Sequence, residues 1–296
     1  GRAIYNSKGL DLSYENSMAG LVSAAVVSDG KEMTNDYKIK VGKLSEIDLD
    51  EQAKKAVEKA LNKLGGDVAP TGKYPVIFDP DAMRSLLATF SSIFSSENAQ
   101  KGLSKLGDKE GQVIASSVVT LVDDPFHPGS PFPINFDAEG CPTKTKKVIE
   151  NGKLNTLLYN LKTAAVAGKE TTGNGSKGGY SSAVGIRPFT FYLEPGPLSE
   201  EELLQKAGKG VYINMLGGLH AGANPVTGDF SLQSAGFLIE DGKKTTPVKS
   251  FTVAGNFYDL LNQITDVGSN LKVEGTGQTT FASPSVLVDG LSIAGK

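Results

Sequence analysis

The sequence predicts an α+β protein: a large, mostly antiparallel, barrel-like β-sheet domain with about four helices. Three observations predict it. Runs rich in Val, Ile and Thr are separated by Asp-Gly and Asn-Gly pairs, which supply the positive φ angles that tight hairpins need. Helical periodicity is confined to four segments, each opened by a capping residue. About a dozen strand-like runs surround those helices and are mostly joined as hairpins, which favours an antiparallel sheet.

Residues 20–28 and 34–41 read as paired strands around Ser28-Asp29-Gly30-Lys31. A helix follows, with Asp48 as cap and Glu51 completing a capping box. Its apolar stripe is Ala53, Val57, Ala60, Leu61 and Leu64, and Gly65-Gly66 stops it. Residues 74–78 form a short apolar strand. Asp79-Pro80 then opens a second helix, whose wide stripe of Met83, Leu86, Leu87, Phe90, Ile93 and Phe94 presses it into the core. Residues 113–122 read as a strand. The four prolines of residues 125–133 make that stretch a loop.

Residues 146–149 and 154–159 flank Asn151-Gly152, and residues 237–240 and 246–253 flank Asp241-Gly242. The two tracts resemble each other, which leaves open an internal echo or a recurrent hairpin. Residues 168–185 are rich in Gly, Ser and Thr and read as flexible. Ser199 with Glu202 caps a third helix around Leu203 and Leu204. Asn256 caps a fourth, with Phe257, Leu260, Leu261 and Ile264 on one face. Residues 286–293 close the chain as strand.

The 296 residues allow one large domain or two ordinary ones, and 39% apolar with 21% charged residues is a soluble globular composition. The net charge of −3, with only the short run of Lys144, Lys146 and Lys147, argues against a nucleic-acid interface. No apolar run is long enough for a membrane-spanning helix. The single cysteine, Cys141, fits a reducing cytoplasmic compartment. The chain opens without Met and without a signal-peptide pattern, so a fragment or processed chain is expected.

The chemistry-bearing residues are sparse. His127 stands in Asp123-Asp124-Pro125-Phe126-His127, a spacing that matches no ligand pattern. His220 stands in a glycine-rich tract ending at Ala223-Asn224, and reads first as structural or solvent-facing. Two histidines on separate segments do not supply the three or four ligands of a zinc site. Cys141 has no neighbouring base and reads as an inert thiol. Gly173-Asn174-Gly175 lacks the Gly-Lys-Ser/Thr order of a phosphate loop. Taken alone, the residues give a soluble α+β protein with no evident catalytic constellation.

Several tracts, in order, resemble the PmbA/TldE side of the TldD/PmbA family, known also as modulators of DNA gyrase. The most specific runs from Gly222-Ala223-Asn224-Pro225 through Gly228-Asp229-Phe230-Ser231 to Ala235-Gly236-Phe237. Others are Phe136-Asp137-Ala138-Glu139-Gly140, Thr171-Thr172-Gly173-Asn174, Val253-Ala254-Gly255-Asn256 and Leu291-Ser292-Ile293-Ala294-Gly295. The resemblance covers the chain from about residue 5. It implies that residues 1–296 are the family's central and C-terminal β-rich region without its N-terminal α+β domain, with a sub-boundary near 125–135.

The family's active subunits carry a His-Glu-x-x-x-His helix and a later cysteine, which the resemblance implies hold a metal. Here Ala88, Thr89 and Ile93 stand at the helix positions, and the later thiol position falls near residues 272–275, without a cysteine. The resemblance therefore implies a PmbA/TldE-type subunit of a metallopeptidase system acting on unfolded peptides. It implies no metal ligand in this chain, zinc only in a TldD-type partner, and assembly with that partner or with itself. His220, Asn224, Asp229 and Asn174 are its candidate substrate or cavity residues. The competing readings are a peptide-binding homodimeric scaffold, or a metallopeptidase with the unconventional ligands Asp123, Asp124, His127 and His220.

Overall fold

The computed structural model describes residues 1–131, 133–179, 181–273 and 279–296, with only the backbone of Glu46. Strands β1 (Arg2–Tyr5) and β2 (Asp11–Tyr14) form a small hairpin. Strands β3 (Ala19–Ser28) and β4 (Met33–Gly42) form a longer one, paired from Ala19↔Gly42 to Ser28↔Met33. The Asp29 carboxylate accepts from the N–H groups of Lys31 and Glu32, and Gly30 takes φ 88°, so this turn is an Asx-capped loop.

Helix α1 (Leu49–Leu61) lies on the long hairpin, and Asp48 caps it as expected, accepting from Glu51 N. Its contact face corrects the sequence reading. Gln52, Ala56 and Ala60 are buried, whereas Val57 and Leu61 are 41% and 49% exposed. The small side chains let the helix axis approach the pleated hairpin, and bulkier ones would hold it off.

The rest of the chain builds a barrel and a second sheet. Strands β5 (Gly72–Phe78), β9 (Gly210–Gly217), β10 (Asp229–Glu240), β11 (Lys243–Asn256) and β14 (Val286–Ala294) pair in that order, and β14 closes the ring by pairing with both β11 and β5. A ring of five strands cannot alternate direction throughout. One neighbouring pair must be parallel, and it is β5 with β9, in register at Val76↔Val211. Strand β12 (Ile264–Val267) extends the sheet beyond β14. The second sheet joins β6 (Leu121–Asp123), β7 (Lys146–Glu150), β8 (Thr190–Leu193) and β13 (Thr280–Ala282).

Both expected Gly hairpins are present. Asn151 and Gly152 take φ 47° and 82°, and Asp241 and Gly242 take 49° and 70°, the paired left-handed residues of a two-residue hairpin turn. Two expected strands shrink. Residues 113–122 contribute only their last two to β6, and residues 154–159 are strand only at Leu154. There the chain passes into helix α3 (Leu161–Ala167), capped by an Asn160–Thr163 box that the sequence reading missed.

Helix α2 (Pro80–Phe90) and helix α5 (Phe257–Gln263) press into the main core. Phe90 stacks on Phe257 at 4.6 Å between ring centroids, with Phe230 edge-on at 6.2 Å. Adjacent β5 residues divide between two cores. Val76 and Phe78 join the main one, while Ile77 faces helix α4 (Glu200–Ala207) through Leu203 and Leu204.

Candidate functional site

The flank of α2 opposite the core forms one wall of a groove. Asp79 starts the helix, its Oδ1 accepting from Ala82 N at 2.7 Å. Helical spacing sends Met83, Leu86, Leu87 and Phe90 inward and leaves Asp81, Arg84, Ser85 and Ala88 on the outer flank. Asp81, Arg84 and Ser85 line a groove of about 350 Å³ whose other walls include Lys38 of β4, Lys59 of α1 and Asn214 of β9.

The groove is dense in charge. Asp81 bridges Lys59 at 3.3 Å and Arg84 at 3.1 Å, and Lys63 meets Asp36 at 3.1 Å. Burial pushes the Asp81 carboxyl up, but Lys59, Arg84 and Lys38 outweigh it and hold it below the usual range. Asp79 opens on an adjoining recess of about 250 Å³. Burial and the neighbouring Asp81 push its carboxyl up to about 7, against the opposing pull of Ala82 N–H and Lys59. The sequence marked Asp79 only as a helix cap with Asp81 two residues on, and nothing in it signalled that the cap would be enclosed.

Ala88, Thr89 and Ile93, the positions that the sequence resemblance marks for metal ligands, do not converge. Ala88 and Thr89 are half-buried on the flank of α2, while Ile93 lies beyond the helix in a 3-10 turn, 1% exposed in the core. Thr89 Oγ1 already donates to Ser85 O at 2.8 Å. A methyl group, a committed hydroxyl and a buried hydrocarbon do not fit a zinc ion. Of the later thiol position near residues 272–275, Glu274 and Gly275 lie outside the described residues.

The other singled-out residues are dispersed. His220 is exposed in the short helix Leu219–Gly222. Asn224 and Asp229 bracket the next turn. Asn224 Oδ1 accepts from Val226 N, and Asp229 Oδ1 accepts from Asn256 Nδ2 at 2.8 Å. That amide, with the Thr227 hydroxyl, holds the Asp229 carboxyl below its usual range. Asn174 is fully buried. Its amide donates to Asp123 Oδ2 at 2.7 Å and to Arg187 O at 3.0 Å, while its oxygen accepts from Thr172.

Asp123 also pairs with Lys146 at 2.9 Å, and its Oδ1 accepts from Phe189 N, so both oxygens of this buried carboxylate are bonded. Asp124 accepts from Thr145, and His127 Nδ1 accepts from Gly129 N while its ring packs edge-on against Tyr192. Among the described residues, the one group of three ligand-type side chains within 4.8 Å of each other is Asp137, Glu139 and Cys141. Those carboxylates already accept from the N–H groups of Gly175 and Leu161. Burial, then Asp137 and Glu139, push the Cys141 thiol up to about 11, so it stays protonated.

Residues 71–295 match the PmbA/TldA metallopeptidase C-terminal domain, and residues 2–64 match the central domain of the same group. A solved structure from Thermotoga maritima, named as a candidate modulator of a DNA gyrase, is 38% identical with a TM-score of 0.90; the match covers 99% of this chain and 66% of that one. TldE from Thermococcus kodakarensis is 31% identical with a TM-score of 0.89, again over 99% and 66%. A metalloprotease from Methanothermobacter thermautotrophicus is 30% identical over 92% of this chain and 60% of its own length. The chain thus spans between 60% and 66% of these relatives.

Proposed function

The chain belongs to the PmbA/TldD metallopeptidase family, and on that premise we propose that it is a PmbA/TldE-type subunit of a TldD/TldE peptidase assembly, itself without zinc ligands. It assembles with a TldD-type subunit, which carries the zinc, and together they enclose a space that admits unfolded peptides. The observation that carries this reading is the make-up of α2 and the 3-10 turn that follows it: Ala88, Thr89 and Ile93 offer no set of donors to an ion. The charged groove beside that helix supports a role in holding polar peptide backbone and side chains, not in cleaving them.

Metal content and co-purification test it. Purified alone, the chain should retain far less than one zinc per molecule. Co-expressed with a TldD-type subunit, it should co-purify in a fixed ratio, with one zinc per TldD-type chain and peptidase activity on an unfolded polypeptide. One tightly held zinc per molecule of the isolated chain, lost on changing His220 and His127, would sink the proposal in favour of unconventional ligands.

A further inference from the structure

Strands β3 and β4 and helix α1 make a body of their own. They pack on one another through Gln52, Ala56 and Ala60, and through polar links such as Thr34 Oγ1 to Ala60 O at 2.7 Å and Lys63 to Asp36 at 3.1 Å. Among the described residues, neither of the two apolar cores holds a side chain from these three elements. The body is therefore not fixed on the barrel by the kind of core that fixes α2 and α5.

Charge spans the gap instead. Lys59 of α1 reaches Asp81 of α2 at 3.3 Å, and Glu32, in the turn between β3 and β4, pairs with Lys249 of β11. All four side chains are between 31% and 35% exposed, so water and salt reach both pairs.

The connections at both ends of the body are suited to bend. Glu15, Asn16, Ser17 and Met18 are exposed and belong to no helix or strand. They follow β2, whose Tyr14 ring packs edge-on against Phe136 at 5.2 Å. After α1, residues 62–66 again form no helix or strand, and Gly65 takes φ 70° with open space where a Cβ would stand. Asp67 and Val68 then pair with β11, which ends the second connection. The charged groove runs between the two bodies. Asp36, Lys38 and Lys59 stand on one wall, and Asp81, Arg84 and Asn214 on the other.

We propose that β3, β4 and α1 swing as one gate about residues 15–18 and 62–66, widening and narrowing the groove, with the Lys59–Asp81 and Glu32–Lys249 pairs as its latches. A hinge of this kind concentrates the change in a few backbone torsions and leaves the packed elements intact. Solvated pairs suit such a gate, because each adds only a small bias toward the closed state. The inference rests on the peptide-handling reading for its purpose and adds control of access to it: an extended chain enters the groove when the latches part.

Double electron–electron resonance on the full chain tests it. Spin labels are placed at Lys54→Cys on α1 and Lys209→Cys just before β9, both exposed positions, in a Cys141→Ser background. Two distances should appear. The second should grow at least about twofold between about 0.01 M and about 1 M salt, as the Debye length falls from about 30 Å to about 3 Å. Glu32→Gln and Lys59→Gln should each raise it about two- to fivefold at low salt. The paired exchange Glu32→Lys with Lys249→Glu should return it toward the wild-type level. Lys101→Gln, which breaks an ion pair with Glu97 inside one helical segment, should not move it. Labels at Val26→Cys and Lys54→Cys, both inside the gate, should keep a single distance throughout.

One salt-independent distance between α1 and the barrel overturns the inference, and this needs no latch variant. A second distance that the latch variants leave untouched overturns it as well. So does a parallel change between Val26 and Lys54, which would report melting of the unit and not a swing. Failure of the subunit reading is seen separately, as failure to co-purify with a TldD-type chain.

Discussion

A carboxyl group enclosed at the start of a helix meets opposing demands. The Asp79 side chain caps α2, but it is desolvated and faces Asp81. Its pKa of about 7 in the folded chain stands above the ordinary 3.8. Between those values the folded state keeps a proton that the unfolded state has lost. Stability therefore falls as pH rises through this window, and the full cost is present above pH 7. Asparagine caps equally well without titrating. Asp79→Asn should raise stability at pH 8 by on the order of 1–3 kcal/mol and flatten the pH dependence between 4 and 7. Urea unfolding at pH 5 and pH 8 reads this, and an equal change at both values would refute it. The Asp123–Lys146 pair is a buried ion pair at 2.9 Å. Lys146→Met strands a buried carboxylate and should cost about 3–5 kcal/mol in thermal or urea unfolding. Residue identity was legible at Asp79 as a cap signal. Its titration was not, because it depends on enclosure by the fold and on the charges of Lys59 and Glu200, which the chain brings in from two other places.

At the scale of elements, local rules were enough wherever the signal is local. Asp48, Asp79, Ser199 and Asn256 cap the helices they were expected to cap, and Asn151-Gly152 and Asp241-Gly242 make the expected turns. The failures lie where partner surfaces decide. Val57 and Leu61 of the stripe that hydrophobicity favours face out, and Ala60 of that stripe packs with Gln52 and Ala56 on the β3–β4 hairpin. The β9–β10 pairing shows how close such approaches become. A Cβ at Gly236 would stand 1.8 Å from Tyr212 O, at the register shift between Ile213 and Met215. Gly236→Ala should cost at least about 2 kcal/mol, whereas Gly217→Ala, with its nearest contact at 3.5 Å, should stay within about 0.5 kcal/mol of a solvent-exposed change. Their melting temperatures separate the two cases. The turn carrying His220 is a different kind of element, short and exposed. His220→Ala should leave the peptidase activity of the assembled subunits within about a few-fold of wild type, and a loss of orders of magnitude would place this imidazole in the chemistry.

For the molecule as a whole, the α+β class, the predominance of antiparallel pairing and a barrel-like sheet were expected from the sequence and are present, while the particular strand pairs that close the barrel were not specified. Hairpins specify neighbours a few residues apart. The β5–β9 and β5–β14 contacts join residues such as Val76 to Val211 and Val288, and no local pattern encodes them. The candidate site shares that limit. The groove joins Lys38, Lys59, Asp81 and Asn214, so it could not be read from spacing along the chain. Partner capture is the prediction that belongs at this scale: a TldD-type subunit should co-elute with the chain, and proteolysis of unfolded polypeptide should require both. The closing role of β14 also bears on synthesis. While a ribosome still holds residues 286–294, the free margins of β5 and β11 stand open, each a template for a stray strand. The nascent chain cannot finish its barrel until residues 286–294 emerge, and it depends for that interval on dilution or on a chaperone's cover.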